Sequence, residues 1–457
     1  MSYSTMTYFR FIRKIKIPTA LALFGALLTL QACAPNKIYR DTYSVCYASA
    51  TQSCDKQAIS IHNQGTDGDF QLGFVEYDDQ GQLRDRKQMQ TVLDHYYPIA
   101  GQDDVILTVF VHGWHHSAAP GDGNVESFKE MLKQISLREA QSSKQDGRPK
   151  RRVLGVYVGW RGDTITAPVI QHSTFWGRKA VAHEVGLQGV SEVLLRLEEI
   201  VNVKAAIEQE NPKPLNSRMV VIGHSFGGAV VYTSLQQILA DRYIDSRKSK
   251  NYQGNAQGFG DLVVLMNPAF EAMRFATLFD IGQSCTEVGA PCRNYSPDQL
   301  PRLAVLTSEA DAATRYAFPM GRFWVTPFKT HNTLNRLIDT SQNAKAIEVN
   351  EYSADNKTIG HFAPFWTHTL EKLPNENVRS DAFNYRSLGN RWAQLDYGST
   401  LELEEVALTH LDRSHPRNPY LNIYVSEELI DGHNDIWGEE VQHFLQDLII
   451  IATTPER

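Results

Sequence analysis

Positive charge is in short supply in this chain. Its 457 residues carry 45 Lys and Arg against 52 Asp and Glu, a formal net charge of −7 at pH 7. Such a chain offers no electrostatic footprint for nucleic acid, and that class of partner is set aside. Cysteine is scarce as well, with five in all, and no two stand at the two-to-four-residue spacing that metal ligands need. No metal and no other cofactor is expected. Repeats and low-complexity tracts are absent, which excludes a repeat architecture. What remains is 42% hydrophobic and 21% charged, ordinary globular composition for one large domain with insertions or for two domains.

The N-terminus stands apart. Arg10, Arg13, Lys14 and Lys16 precede an apolar run from Ile17 to Leu30, then Gln31-Ala32-Cys33. A basic start, a run short for a membrane span and a small residue before the break read as an export signal over residues 1–32. With Leu30 three positions before Cys33, this ending resembles the lipobox of bacterial lipoproteins. The resemblance implies that Cys33 is diacylated, becomes the new N-terminus and anchors the body to an envelope membrane outside the cytoplasm. Without the four basic leader residues the net charge falls from −7 to −11. Cys46, Cys54, Cys285 and Cys292 then form an even set in an oxidising compartment, which implies two disulfides. Sequence proximity favours Cys46 with Cys54 and Cys285 with Cys292 among three possible connectivities.

Residues 33–67 are polar with little apolar periodicity and read as a tether. From Phe70, Leu72 and Phe74 onward, β-type runs alternate with helical ones. Val105 to Val111, Val153 to Trp160, Val220 to Ile222, Leu262 to Met266, Leu303 to Thr307 and Tyr420 to Val425 are continuous apolar strands of the kind buried on both faces. Helical spacing follows most of them. The fold class expected for residues 68–457 is α/β, a mostly parallel sheet flanked by helices, with ligands at the carboxyl ends of the strands.

One stretch carries chemistry. Val220-Val221-Ile222 runs into Gly223-His224-Ser225-Phe226-Gly227 and then into a helix-forming run from Ala229. A serine hydroxyl is a poor nucleophile unless it stands clear of the backbone beside a base. A sharp strand-to-helix turn achieves this, and it needs residues without a Cβ at Gly223 and Gly227. Ser225 is the candidate nucleophile.

With that turn, and with an acid and a histidine following it in order, the chain resembles the α/β-hydrolase superfamily. The resemblance implies a triad of Ser225, Asp311 and His433. Asp311 ends Ser308-Glu309-Ala310-Asp311 just past a strand, with Glu309 as the alternative acid. His433 lies between the last strand and the last helix, with His410, His415 and His443 as alternatives. It also implies oxyanion donors at the backbone N–H of Phe226 and, in the loop after His112-Gly113, of Trp114. His112, Gly113 and His224 are expected to be packing supports. Residues 312–410, with Phe362, Phe365 and Trp366, are expected to be an insertion forming a cap between the acid and the histidine strand. Residues 165–179, with Phe175 and Trp176, are a second candidate cover.

The function this implies is a serine hydrolase of the esterase or lipase type acting on a small-molecule or lipid ester. A peptidase or thioesterase would use the same residues, and a non-catalytic envelope binding lipoprotein is the alternative of another class. Labelled palmitate should enter the mature protein at Cys33, and Cys33→Ala should release the protein from membranes or block its processing. An intact Met1 on the mature chain would contradict the lipoprotein reading.

Overall fold

The computed structural model describes residues 37–162, 168–207, 216–247, 255–322, 326, 329–374 and 385–453. The signal segment and Cys33 lie outside them. Among the described residues no helix is long and apolar enough to cross a membrane.

In chain order the strands are β1 (Thr42–Tyr47), β2 (Gln57–His62), β3 (Phe70–Glu76), β4 (Val105–Val111), β5 (Arg152–Gly159), β6 (Arg218–His224), β7 (Leu262–Met266), β8 (Leu303–Ser308), β9 (Thr333–Ile338), β10 (Lys345–Asn350), β11 (His368–Lys372), β12 (Thr400–Glu402), β13 (Val406–His410) and β14 (Tyr420–Val425). The helices are α1 (Arg86–Gln102), α2 (Gly123–Asp146), α3 (Pro168–Gln188), α4 (Val190–Ile207), α5 (Phe226–Ser246), α6 (Ala272–Gln283), α7 (Phe318–Arg322), α8 (Glu351–Asn356), α9 (Tyr385–Ala393) and α10 (Glu439–Thr453).

The chain is an α/β protein built on one 12-stranded sheet in the order β1-β2-β3-β5-β4-β6-β7-β8-β14-β11-β13-β12. From β3 to β11 every neighbouring pair is parallel. The β-branched runs explain the centre: every residue of β4 and of β6 is buried, because helices cover both faces. Val105, Leu107, Val109 and Val111 face a core shared with α1, α3, α4, α5 and α6. Ile106 and Phe110 face the opposite core, built with α2, α9 and α10. Each such side chain removed from water contributes roughly 1.5–3 kcal/mol. Parallel strands also share one carboxyl edge, and the residues that follow β4, β6, β8 and β14 meet there.

Two expectations about the chain's organisation are corrected. Residues 33–67 are not simply a tether, for β1 and β2 extend the sheet, β2 pairing antiparallel with β3 and β1 parallel with β2. The Cys46–Cys54 disulfide spans the connection between them. As an outer strand β1 is largely half-exposed, so it carries polar residues and shows no continuous apolar run. Residues 312–410 are likewise more than a cap. Their second half supplies β11, β13 and β12, which lengthen the sheet beyond β14, while β9 and β10 form a separate antiparallel hairpin. Phe362 and Phe365 are buried in the main core, and Trp366 stacks on Tyr424 at 4.0 Å. The side chains of Phe175 and Trp176 lie outside the described residues. The second expected disulfide, Cys285–Cys292, is present.

The entry of the chain into the sheet is held by Arg40, which is 2% exposed. Its guanidinium donates to the carbonyls of Ala118 (2.8 Å), Cys54 (3.2 Å) and Asp55 (2.6 Å) and lies over the Phe74 ring. A buried carbonyl that loses a charged donor costs about 1–3 kcal/mol. Arg40→Leu is therefore expected to lower unfolding free energy by about 3 kcal/mol and to expose the β1–β2 segment to limited proteolysis; an unchanged melting curve and digestion pattern would refute this.

Candidate active site

Ser225 stands between β6 and α5 with φ 55° and ψ −120°. For a residue with a Cβ this backbone costs of order 1–3 kcal/mol, and it is retained only where the surroundings impose it. They do so through three backbone bonds. Ser225 N–H donates to the Met266 carbonyl (2.9 Å), while its own carbonyl accepts from Ala269 (3.1 Å) and Ala229 (3.3 Å). The flanking glycines are sterically required. A Cβ on Gly227 would lie 2.1 Å from the Val111 carbonyl oxygen, and one on Gly223 would lie 2.7 Å from that of Gly227.

His433 reaches this serine from the loop between β14 and α10. Its Nε2 is 2.7 Å from Ser225 Oγ. Its Nδ1 is 2.9 Å from both carboxylate oxygens of Asp311. With Nδ1 as donor to the carboxylate, Nε2 is left to accept the serine proton. Three residues that lie apart in sequence are joined at the carboxyl edge in the order expected. Asp311 is fully buried. Burial works against its charge, but His433 and the hydrogen bonds from His433 and Thr314 outweigh it and hold the carboxyl below its ordinary value. Glu309 points elsewhere, accepting from the Glu427 amide at 2.9 Å. His410 contacts Ser414 (3.3 Å), His415 packs on Tyr295 and His443 pairs with Glu405 (3.2 Å).

Behind the acid lies a support that sequence reasoning missed. The chain turns through a π-helix at Ala313–Ala317, a rare form that recurs at functional sites. This turn aims the Thr314 amide at Asp311 Oδ1 (3.1 Å) and its hydroxyl at Oδ2. His361 Nε2 in turn donates to the Thr314 oxygen at 3.1 Å. No spacing rule links residue 361 to residue 314.

The histidine loop is clamped in the same way. His224, expected only to pack, donates from Nε2 to the His433 carbonyl at 2.9 Å. Burial pushes its pKa down to about 3, so it stays a neutral donor. Asn267, just past β7, donates to the carbonyls of His433 (3.0 Å) and Gly432 (3.3 Å) and accepts from the Ser308 amide (2.9 Å). The Ser308 hydroxyl donates to the Ile430 carbonyl at 2.5 Å. The available signals were adjacency of His224 to Ser225 and the Asn267-Pro268 stop at a strand's carboxyl end.

Both expected oxyanion donors border the serine. Phe226 is the next residue and opens α5; Trp114 follows Gly113, where an added Cβ would lie 2.8 Å from Ser225 Cβ. The loop is braced by His112, whose Nδ1 donates to the Gly113 carbonyl (2.9 Å) and whose Nε2 accepts from the Trp160 amide (3.0 Å). Burial pushes its pKa down to about 4.

No family model, curated protein or solved structure matches the chain.

The arrangement can move a proton from Ser225 to His433 while Asp311 holds the imidazole in the needed tautomer. Asp311→Asn is expected to slow covalent labelling of Ser225 by a fluorophosphonate roughly ten-thousand-fold, because an amide facing Nδ1 favours the wrong tautomer. Glu309→Gln should leave the rate within about twofold, since the amide oxygen of glutamine can still accept from the Glu427 amide. Equal losses in the two variants would overturn the assignment of the acid.

Proposed function

We propose that this protein is a serine hydrolase with an α/β-hydrolase-type architecture, cleaving an ester substrate and anchored by lipid to a bacterial envelope membrane. The observation that carries the reading is the continuous chain of hydrogen bonds from Ser225 Oγ through His433 to Asp311.

The geometry supports an acyl-enzyme route. Ser225 Oγ attacks the ester carbonyl carbon as His433 Nε2 takes its proton, and the carbonyl oxygen becomes an oxyanion. Its charge is met by the N–H groups of Phe226 and Trp114, each such donor being worth about 3 kcal/mol in the transition state. The imidazolium, neutralised by Asp311, returns the proton to the leaving alkoxide, and an acyl-serine remains. Water then repeats the sequence: His433 takes its proton, the acyl–oxygen bond breaks and Ser225 is regenerated.

A binding protein on the same scaffold is the alternative, since architecture alone never implies activity. The strained Ser225 backbone favours an enzyme, because a binding role has no use for a serine held at this conformational cost. The two disulfides and the lipobox-like ending support an address outside the cytoplasm.

A fluorophosphonate probe is expected to modify Ser225 of the folded protein and to leave Ser225→Ala unlabelled, as read by mass spectrometry of the adduct peptide. An adduct on another residue, or none, would refute the hydrolase reading.

A further inference from the structure

The first described residues lie at the edge of the sheet that carries Ser225. The amides of Tyr39 and Arg40 donate to the carboxylate of Glu76 (3.0 and 2.8 Å), and Glu76 is the last residue of β3. β1 then runs antiparallel to the central strands, so its first residue, Thr42, lies at their carboxyl edge beside Gln57. The Arg40 guanidinium bonds to Ala118, on the same loop that leaves β4 past Trp114. Between β3 and β6 the sheet order is β3-β5-β4-β6. Three steps of about 4.8 Å put the entry point about 15 Å from the nucleophile along that edge.

The distance to Cys33 is short. Arg40 is the seventh residue after it, and seven residues span at most about 25 Å. A domain of this size has a radius of gyration near 22 Å, hence is roughly 55 Å across. A lead of that length cannot pass around the body and bring the opposite edge to the surface that holds the lipid. The carboxyl edge also carries exposed apolar side chains. Tyr316 and Met320 are 57% and 72% exposed, on the segment that follows Asp311. The body's net charge of −11 without the leader gives an anionic headgroup layer nothing to attract, so contact rests on the lead and on apolar groups.

We propose that the carboxyl edge, where Ser225 stands, faces the bilayer that holds acylated Cys33, and that the substrate is an acyl ester drawn from that bilayer. This rests on the readings of Ser225 and Cys33 given above. Tyr316 and Met320 sit in the headgroup layer, and the acyl chain reaches Ser225 without crossing open water. The partner surface is zwitterionic lipid.

The test uses the full acylated protein in phosphatidylcholine vesicles, with p-nitrophenyl palmitate dissolved in the bilayer and p-nitrophenyl acetate in water as the two substrates. Met320→Ser, on α7 beyond the turn that supports Asp311, should cut palmitate turnover by about fivefold or more, since an apolar side chain leaves the lipid. Acetate turnover should stay within about twofold, as for surface substitutions. Inserting a long Gly-Ser spacer between Asn36 and Lys37 should lower the same ratio; ratios unchanged in both variants would overturn the proposal. Independently of turnover, p-benzoylphenylalanine placed at Met320 should cross-link to phosphatidylcholine. At Gln145, exposed near the end of α2 on the opposite edge, it should not, and equal or stronger cross-linking there would overturn the orientation. A fluorophosphonate-inert Ser225 with the expected cross-links would refute the hydrolase reading alone, and with it the substrate. A mature chain without acyl at Cys33 would remove the anchor and overturn the orientation with it.

Discussion

An imidazole can pass a proton in one direction only if both of its nitrogens are held, and His433 is held at both, by groups from different strands. Asp311 fixes Nδ1, Ser225 meets Nε2, and the His433 backbone carbonyl takes two further donors from His224 and Asn267. His433 lies eight residues past the end of β14, on a loop that bonds from other strands hold in place. Its position is set by β6 and β7 through these two donors and by β8 through Ser308. The order and register of four parallel strands are thus the precondition for one proton transfer, and the buried β-branched runs that fix the register serve the site as much as the core.

The same edge explains why glycine is needed where it is. Gly113, Gly223 and Gly227 each lie so close to neighbouring backbone or to Ser225 that an added Cβ would come within 2.8 Å or less. The turn brings three strand ends together at the separation of bare backbone, and the serine's strained conformation is what remains when its neighbours cannot move apart.

The elbow was legible because a strained turn restricts residue types, and the strands β4 to β8 and β14 were legible because strands covered on both faces are apolar throughout. Asp311 and His433 were legible only through chain order, by resemblance. What escaped reading has a common cause. β1 reads as a tether because an outer strand is half-exposed and shows no unbroken apolar run. β11, β12 and β13 read as part of a cap because they are short and follow a long irregular stretch. His224 and Asn267 act on backbone carbonyls, Thr314 on the Asp311 carboxylate and His361 on the Thr314 hydroxyl, and the place where such an acceptor will point leaves no pattern in the sequence.

Three histidines surround the triad, and their neutrality is part of how it works. Burial pushes His112 and His361 down to about 4 and His224 to about 3. His112 accepts the Trp160 amide through Nε2, a role that a protonated ring cannot fill, so protonation sets two donors face to face in the loop that bears Trp114. Unfolded, each of these histidines would titrate near 6.5. Between that value and about 4 the unfolded chain binds protons that the folded site refuses, and stability falls as pH drops through the window, being fully present above it. Asp311 adds to this at lower pH, since its lowered value contributes stability above the ordinary carboxylate range and loses it as pH falls through the folded value. Acid therefore weakens the supports of the oxyanion loop and of the histidine clamp as well as the acid of the triad. Holding His112, His224 and His361 in places too dry to ionise keeps these three imidazoles neutral beside the triad.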